Sequence, residues 1–68
     1  MLENRVREFR ARFRWSQQEL ADAIGATRQT IGLIEKGDYS PSITLALKIA
    51  EAFKAPVEEI FFLKEDVH

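Results

Sequence analysis

The stretch Ser16-Gln17-Gln18-Glu19-Leu20-Ala21-Asp22-Ala23-Ile24-Gly25-Ala26-Thr27-Arg28-Gln29-Thr30-Ile31-Gly32-Leu33-Ile34-Glu35-Lys36-Gly37 constrains the chain more than any other. It reads as two short helices joined by a tight turn. Ser16 and Glu19 have the spacing of a capping box, and Trp15 and Leu20 that of a hydrophobic staple, so a helix starts at Gln17. Leu20, Ala21 and Ile24 then share one face. Gly25 ends the helix, because a left-handed terminal residue is least costly for glycine. Thr27 is a good N-cap for a second helix that begins at Arg28. Ala21 leaves room for that helix to approach closely.

At about 100° per residue, Ile31 and Ile34 point to one side of the second helix and Arg28, Gln29, Gly32, Leu33 and Lys36 form an arc on the other, with Thr30 at its edge. Glu35 lies on the inner margin beside Ile31. The arc suits a surface that reads base edges in the DNA major groove. Arginine pairs bidentately with guanine, glutamine with adenine, and an outward leucine contacts a thymine methyl. Gly32 costs about 1 kcal/mol relative to alanine inside a helix, a cost that makes sense where a larger side chain would collide with DNA. A solvated face with one stray leucine is the plainer alternative. The layout, two helices and a turn with a polar outer face on the second, is that of a helix-turn-helix.

The remaining residues predict the rest of a small bundle. A chain of 68 residues has room for one domain, residues 1–68, around one core. Val6, Phe9, Arg10 and Phe13 share a face, which predicts a first helix from about Asn4 to Phe13, with Arg5, Arg7, Arg12 and Arg14 on its other side. A fourth helix follows Pro41, capped by Ser42, with Ile43, Ala46, Leu47, Ala50 and Phe53 as its inner stripe. Ala55-Pro56 interrupts it, and a short fifth helix runs from Val57 to about Phe61. Ile60-Phe61-Phe62-Leu63 is too apolar for a free end. These residues either close the bottom of the bundle or leave Phe61, Phe62 and Leu63 as a dimer contact in a tail spanning 61–68. A strand over 61–65 pairing with the first few residues is a further expectation.

Ser16-Gln17-x-Glu19-Leu20-Ala21, Gly25-Ala26-Thr27-Arg28-Gln29-Thr30-Ile31, Ile34-Glu35-Lys36-Gly37 and Tyr39-Ser40-Pro41-Ser42 followed by Leu45-Ala46-Leu47-Lys48-Ile49-Ala50 together resemble the lambda-repressor-like, Cro-type (XRE) regulators. The resemblance runs from about Val6 to Phe61 and is most like the small stand-alone dimeric repressors of bacteria. It implies an all-α, five-helix lambda-repressor-like domain with its helix-turn-helix at 17–36, to which the termini would add a short two-stranded β element. It also assigns roles. Arg28, Gln29, Gly32 and Leu33 would face bases. Gln17, Thr27, Thr30, Lys36, Tyr39 and Ser40 would contact the DNA backbone, and Arg10 and Glu35 would form a structural ion pair. Two departures stand out. Ala26 replaces a larger turn residue, which predicts looser packing, and Gly32 and Leu33 replace polar ones, which predicts fewer hydrogen-bonded bases.

Charge and composition narrow the partners. The formal net charge is −1, low for a DNA binder. Residues 1–36 hold seven basic and five acidic side chains, whereas 37–68 hold three and six, so the basic excess lies with the recognition elements. Few phosphate contacts per subunit are expected. No cysteine is present, and the one histidine is His68, which leaves no disulfide or thiolate metal site and no reason to expect a cofactor or a metal. No nucleophile and base are paired, so an enzyme is not expected. No apolar run is long enough to span a membrane, and a cytoplasmic protein of a prokaryote is expected. The partners expected are double-stranded DNA and a second copy, reading a palindromic operator. A controller or antitoxin that also binds a protein, and a protein-interaction module without DNA binding, are the alternatives.

Overall fold

The computed structural model of the protein describes residues 2–64. In chain order the elements are β1 (Leu2–Asn4), α1 (Val6–Phe13), α2 (Gln17–Ile24), α3 (Arg28–Lys36), α4 (Ile43–Phe53), α5 (Val57–Ile60) and β2 (Phe61–Leu63). Five helices surround one core, and the two strands pair antiparallel with Leu2 opposite Leu63, Glu3 opposite Phe62 and Asn4 opposite Phe61. The Arg5 N–H donates to the Ile60 carbonyl at 2.8 Å, so the pairing extends one residue past β1.

The helix-turn-helix is built as its sequence dictates. Ser16 Oγ accepts from the Glu19 N–H at 3.0 Å while the Glu19 carboxylate accepts from the Ser16 N–H at 2.8 Å, completing the capping box. Gly25 closes α2 at φ 71°, a left-handed conformation that a β-carbon disfavours. Thr27 Oγ1 accepts from the Thr30 N–H at 3.1 Å and opens α3. Ala26, small in the turn, is half-buried against the core. An open surface concavity of about 320 Å³ beside it is lined by Ala26, Thr30, Tyr39 and Leu45, among others.

The core gathers Val6 and Phe9 of α1, Leu20, Ala21 and Ile24 of α2, Ile31 and Ile34 of α3, Ala46, Ile49, Ala50 and Phe53 of α4, and Ile60 and Phe61. Phe53 is the hub of an aromatic cluster: its ring lies 5.4 Å from those of Phe9 and Phe13 and 5.5 Å from that of Trp15. Such pairs add about 0.5–1.5 kcal/mol each beyond the area they bury.

Four expectations need correction. The first helix starts at Val6, not Asn4, because Asn4 is drawn into the strand pairing and its Oδ1 accepts from the Val6 N–H at 3.1 Å. On α4, Ile43 and Leu47 are exposed (79% and 52%), and Ile49 is fully buried in their place. The buried set Ala46, Ile49, Ala50 and Phe53 is an i, i+3, i+4, i+7 stripe, and Leu47 sits about 110° from its centre. The fifth helix ends at Ile60, since Phe61 is already extended. Phe61 is buried in the core rather than facing outward, so of the three residues expected at a dimer contact only Phe62, half-buried, and Leu63, 72% exposed, reach the surface. The expected strand is present over 61–63; its residue 65, and the tail's residues 65–68, lie outside the described residues.

Candidate nucleic-acid interface

The candidate surface begins with the amphipathicity of α3. Ile31 and Ile34 are buried at 0% and 1% exposure, and this fixes the opposite side outward. Arg28, Gln29, Leu33 and Lys36 are exposed. Together with Gly32, Gln17 and Arg7 they line an open concavity of about 640 Å³. The base-facing residues expected from the sequence are thus brought together on one surface. Leu33, 37% exposed, is the apolar element of that surface. Lys36 falls on this side with Gln17, whereas Tyr39 lies across α3, beside Thr30. Ser40 is exposed in the loop after α3. The Thr27 and Thr30 hydroxyls lie 2.9 Å apart and share a hydrogen bond, so each keeps only part of its capacity for a phosphate.

Gly32 has a clear physical status. A β-carbon placed there would meet only Gln17 Nε2, at 3.8 Å, an ordinary contact. Nothing among the described residues therefore requires glycine. Gly32→Ala is expected to raise the unfolding free energy by about 1 kcal/mol and to weaken DNA binding, as checked by urea unfolding and a binding titration on the same sample. A stabilised variant with unchanged binding would remove Gly32 from the interface.

Behind this surface, Glu35 joins three helices. Its side chain is 1% exposed. Arg10 of α1 donates from Nε to Oε2 at 2.7 Å and from Nη2 to Oε1 at 3.2 Å, and Gln17 of α2 donates from Nε2 to Oε1 at 3.1 Å. Arg10 Nη1 also donates to the Trp15 carbonyl at 2.8 Å. The paired forks make this a strong, geometrically specific interaction. Burial pushes the Glu35 carboxyl up, but the hydrogen bonds from Arg10 and Gln17 and the charges of Arg10 and Arg7 outweigh it and hold the group below the ordinary carboxylate range. The Arg10 guanidinium is raised by its Glu35 hydrogen bond, against an opposing effect of burial. A carboxyl depressed by folding contributes stability that is complete above its unfolded pKa, about 4.3, and is lost as pH falls through the folded value. Glu35→Gln should therefore flatten the acid side of the stability profile, read by urea midpoints over that range.

Sequence reasoning placed Arg10 with Glu35 but gave Gln17 only to phosphate. The structure shows its side-chain amide held by Glu35 through one of its two N–H donors. Two residues were missed. Asn4 Nδ2 donates at 2.9 Å to the Ile34 carbonyl, which also accepts from the Gly37 N–H at 3.0 Å, so the end of α3 is tied to β1. Arg7 lies with its Nε 3.6 Å from Glu35 Oε1. Its position one turn before Arg10 was the available signal. Among the described residues, no group of three or more histidine, cysteine or acidic residues has the arrangement to hold a metal, and no helix is long and apolar enough to cross a membrane.

The family profile described as helix-turn-helix matches residues 6–60. A Bacillus subtilis protein named as the uncharacterized HTH-type transcriptional regulator YgzD is 52% identical over 65 residues, covering 96% of this chain and 98% of that one. An uncharacterized HTH-type transcriptional regulator of Archaeoglobus fulgidus is 48% identical over 65 residues, covering 96% and 92%. Among solved structures, the restriction-modification controller protein C.AhdI of Aeromonas hydrophila superposes with a TM-score of 0.77 at 34% identity, covering 81% of this chain and 83% of that one. On fold and sequence alike, the chain belongs to the XRE-type helix-turn-helix family of DNA-binding transcriptional regulators.

Proposed function

We propose that the protein is a homodimeric repressor that reads a palindromic operator through the major groove. The observation that carries this reading is the outward face of α3: Arg28, Gln29 and Leu33 stand exposed around Gly32, with nothing among the described residues covering them. Arg28 and Gln29 lie in the first turn of α3, the part of a recognition helix that meets base edges. The N-terminus of α2 and Lys36 hold the backbone on one side, and Thr27, Thr30, Tyr39 and Ser40 on the other. Self-association is supported by exposed apolar side chains that a monomer leaves in water: Leu63 at the end of β2, next to half-buried Phe62, and Ile43 and Leu47 on α4. Occupancy of the operator would block polymerase.

Arg28→Ala tests the reading. It is expected to cost about 1–3 kcal/mol of specific binding and to relax preference at one base position. Gln17→Ala, by contrast, is expected to weaken all duplexes about equally. Equilibrium titration against the operator and its single-base variants separates these outcomes. Arg28→Ala with unchanged affinity and preference would remove the base-reading role from this face. The likeness to a restriction-modification controller favours a controller as the second reading, with the same DNA surface and the same test.

A further inference from the structure

Arg7 is the least firmly held of the arginines that lie near an anion or a ring on α1. Arg12 pairs with Glu8 at 3.2 Å and lies 4.6 Å from the Phe9 ring centre. Arg5, just before α1, stacks on Phe62 at 4.7 Å. Among the described residues Arg7 has only Glu35, at 3.6 Å, outside hydrogen-bonding distance. That carboxylate already accepts two bonds from Arg10 and one from Gln17. One negative charge thus faces two guanidinium groups, and the positive charge left over belongs to the more exposed of them. The Arg7 side chain is 74% exposed and that of Arg10 only 17%. Arg7 also lines the same concavity as Gln17, Arg28, Gln29, Leu33 and Lys36.

We infer that Arg7 is a DNA-phosphate-binding residue, completing the α1 edge of the recognition surface. This rests on the DNA-binding reading above. The residue comes from a helix that flanks α3, not from α3, so it meets the rim of the groove, where phosphates lie, and not the base edges on its floor. A guanidinium offers two parallel donors to a phosphate. Glu35 keeps Arg7 over the concavity in the free protein without a hydrogen bond that DNA would have to break. The excess charge of the Arg7–Arg10–Glu35 cluster lies where a phosphate would neutralise it. This offsets part of the low net charge of the chain.

The test compares Arg7→Gln with Arg12→Gln. Each removes one positive charge, and Arg12 lies about 140° around α1 from Arg7. Both variants and the unaltered protein are titrated against a mixed-sequence duplex and an alternating A·T duplex over a range of salt, with folding checked by circular dichroism. Arg7→Gln is expected to reduce the slope of log K against log salt by about 0.9 per bound subunit, equally on both duplexes, while Arg12→Gln leaves it unchanged. An unchanged slope for Arg7→Gln would overturn the inference, as would equal reductions in the two variants or a loss confined to one duplex. If the unaltered protein binds neither these duplexes nor any selected sequence, the regulator reading fails; if it binds and Arg7→Gln keeps its slope, only the role of Arg7 fails.

Discussion

Phe53→Ala is expected to remove about 3–5 kcal/mol of unfolding free energy, the range for truncating a buried aromatic ring. Phe53 is 2% exposed and touches the rings of Phe9, Phe13 and Trp15, so the substitution leaves a cavity at the centre of the cluster that joins α1 to α4. A domain of this size has a total stability of about 5–15 kcal/mol, and the variant loses a large part of it. Trp15, the only tryptophan, stacks on Phe53 at an interplanar angle of 29° and reports unfolding by fluorescence. The urea midpoint should fall sharply with little change in slope. A midpoint within the error of the unaltered protein would mean that the cluster does not hold these helices together.

Glu35→Ala is expected to cost about 3 kcal/mol, the lower end of the range for breaking a buried ion pair from one side. The lower end applies because Arg10 keeps some contact with water and its bond to the Trp15 carbonyl. The consequence for function is distinct from that for stability. Glu35 lies in the last turn of α3 and holds Arg10 of α1 and Gln17 of α2, so its loss frees α3 to shift against both. DNA binding should fall under conditions where circular dichroism still shows a folded protein. Arg10→Ala should act in the same direction, and the double variant should cost much less than the sum of the two, since the two residues act as a pair. Full additivity in that cycle would show that the two side chains do not interact.

What the sequence made legible followed from short-range rules. The Ser16–Glu19 box, the Gly25 terminus and the Thr27 cap each depend on residues within one turn, and all three stand as expected. The face of α3 was readable because polar and apolar residues divide cleanly around it. On α4 they do not: Ile43, Leu45, Leu47 and Ile49 are all apolar, so several stripes were possible, and which one is buried depends on how α2 packs against it. The tail was ambiguous for the same reason, with four consecutive apolar residues of which Ile60 and Phe61 are buried. The Asn4 bond to Ile34 joins residues 30 apart, and no local pattern announces it. The meeting of Gln17 and Arg7 at Glu35 depends on how three helices cross. Residue types gave their separate roles; only the fold brings them to one carboxylate.

The central claim is that two copies of α3 read bases in successive major grooves. Selection of bound duplexes from a random DNA library by the purified protein, at near-physiological salt, tests it most directly. The account predicts recovery of a palindrome whose half-site centres lie about 34 Å, roughly 10 base pairs, apart. No enrichment from a folded protein would contradict the account, and a single enriched half-site would contradict the dimer.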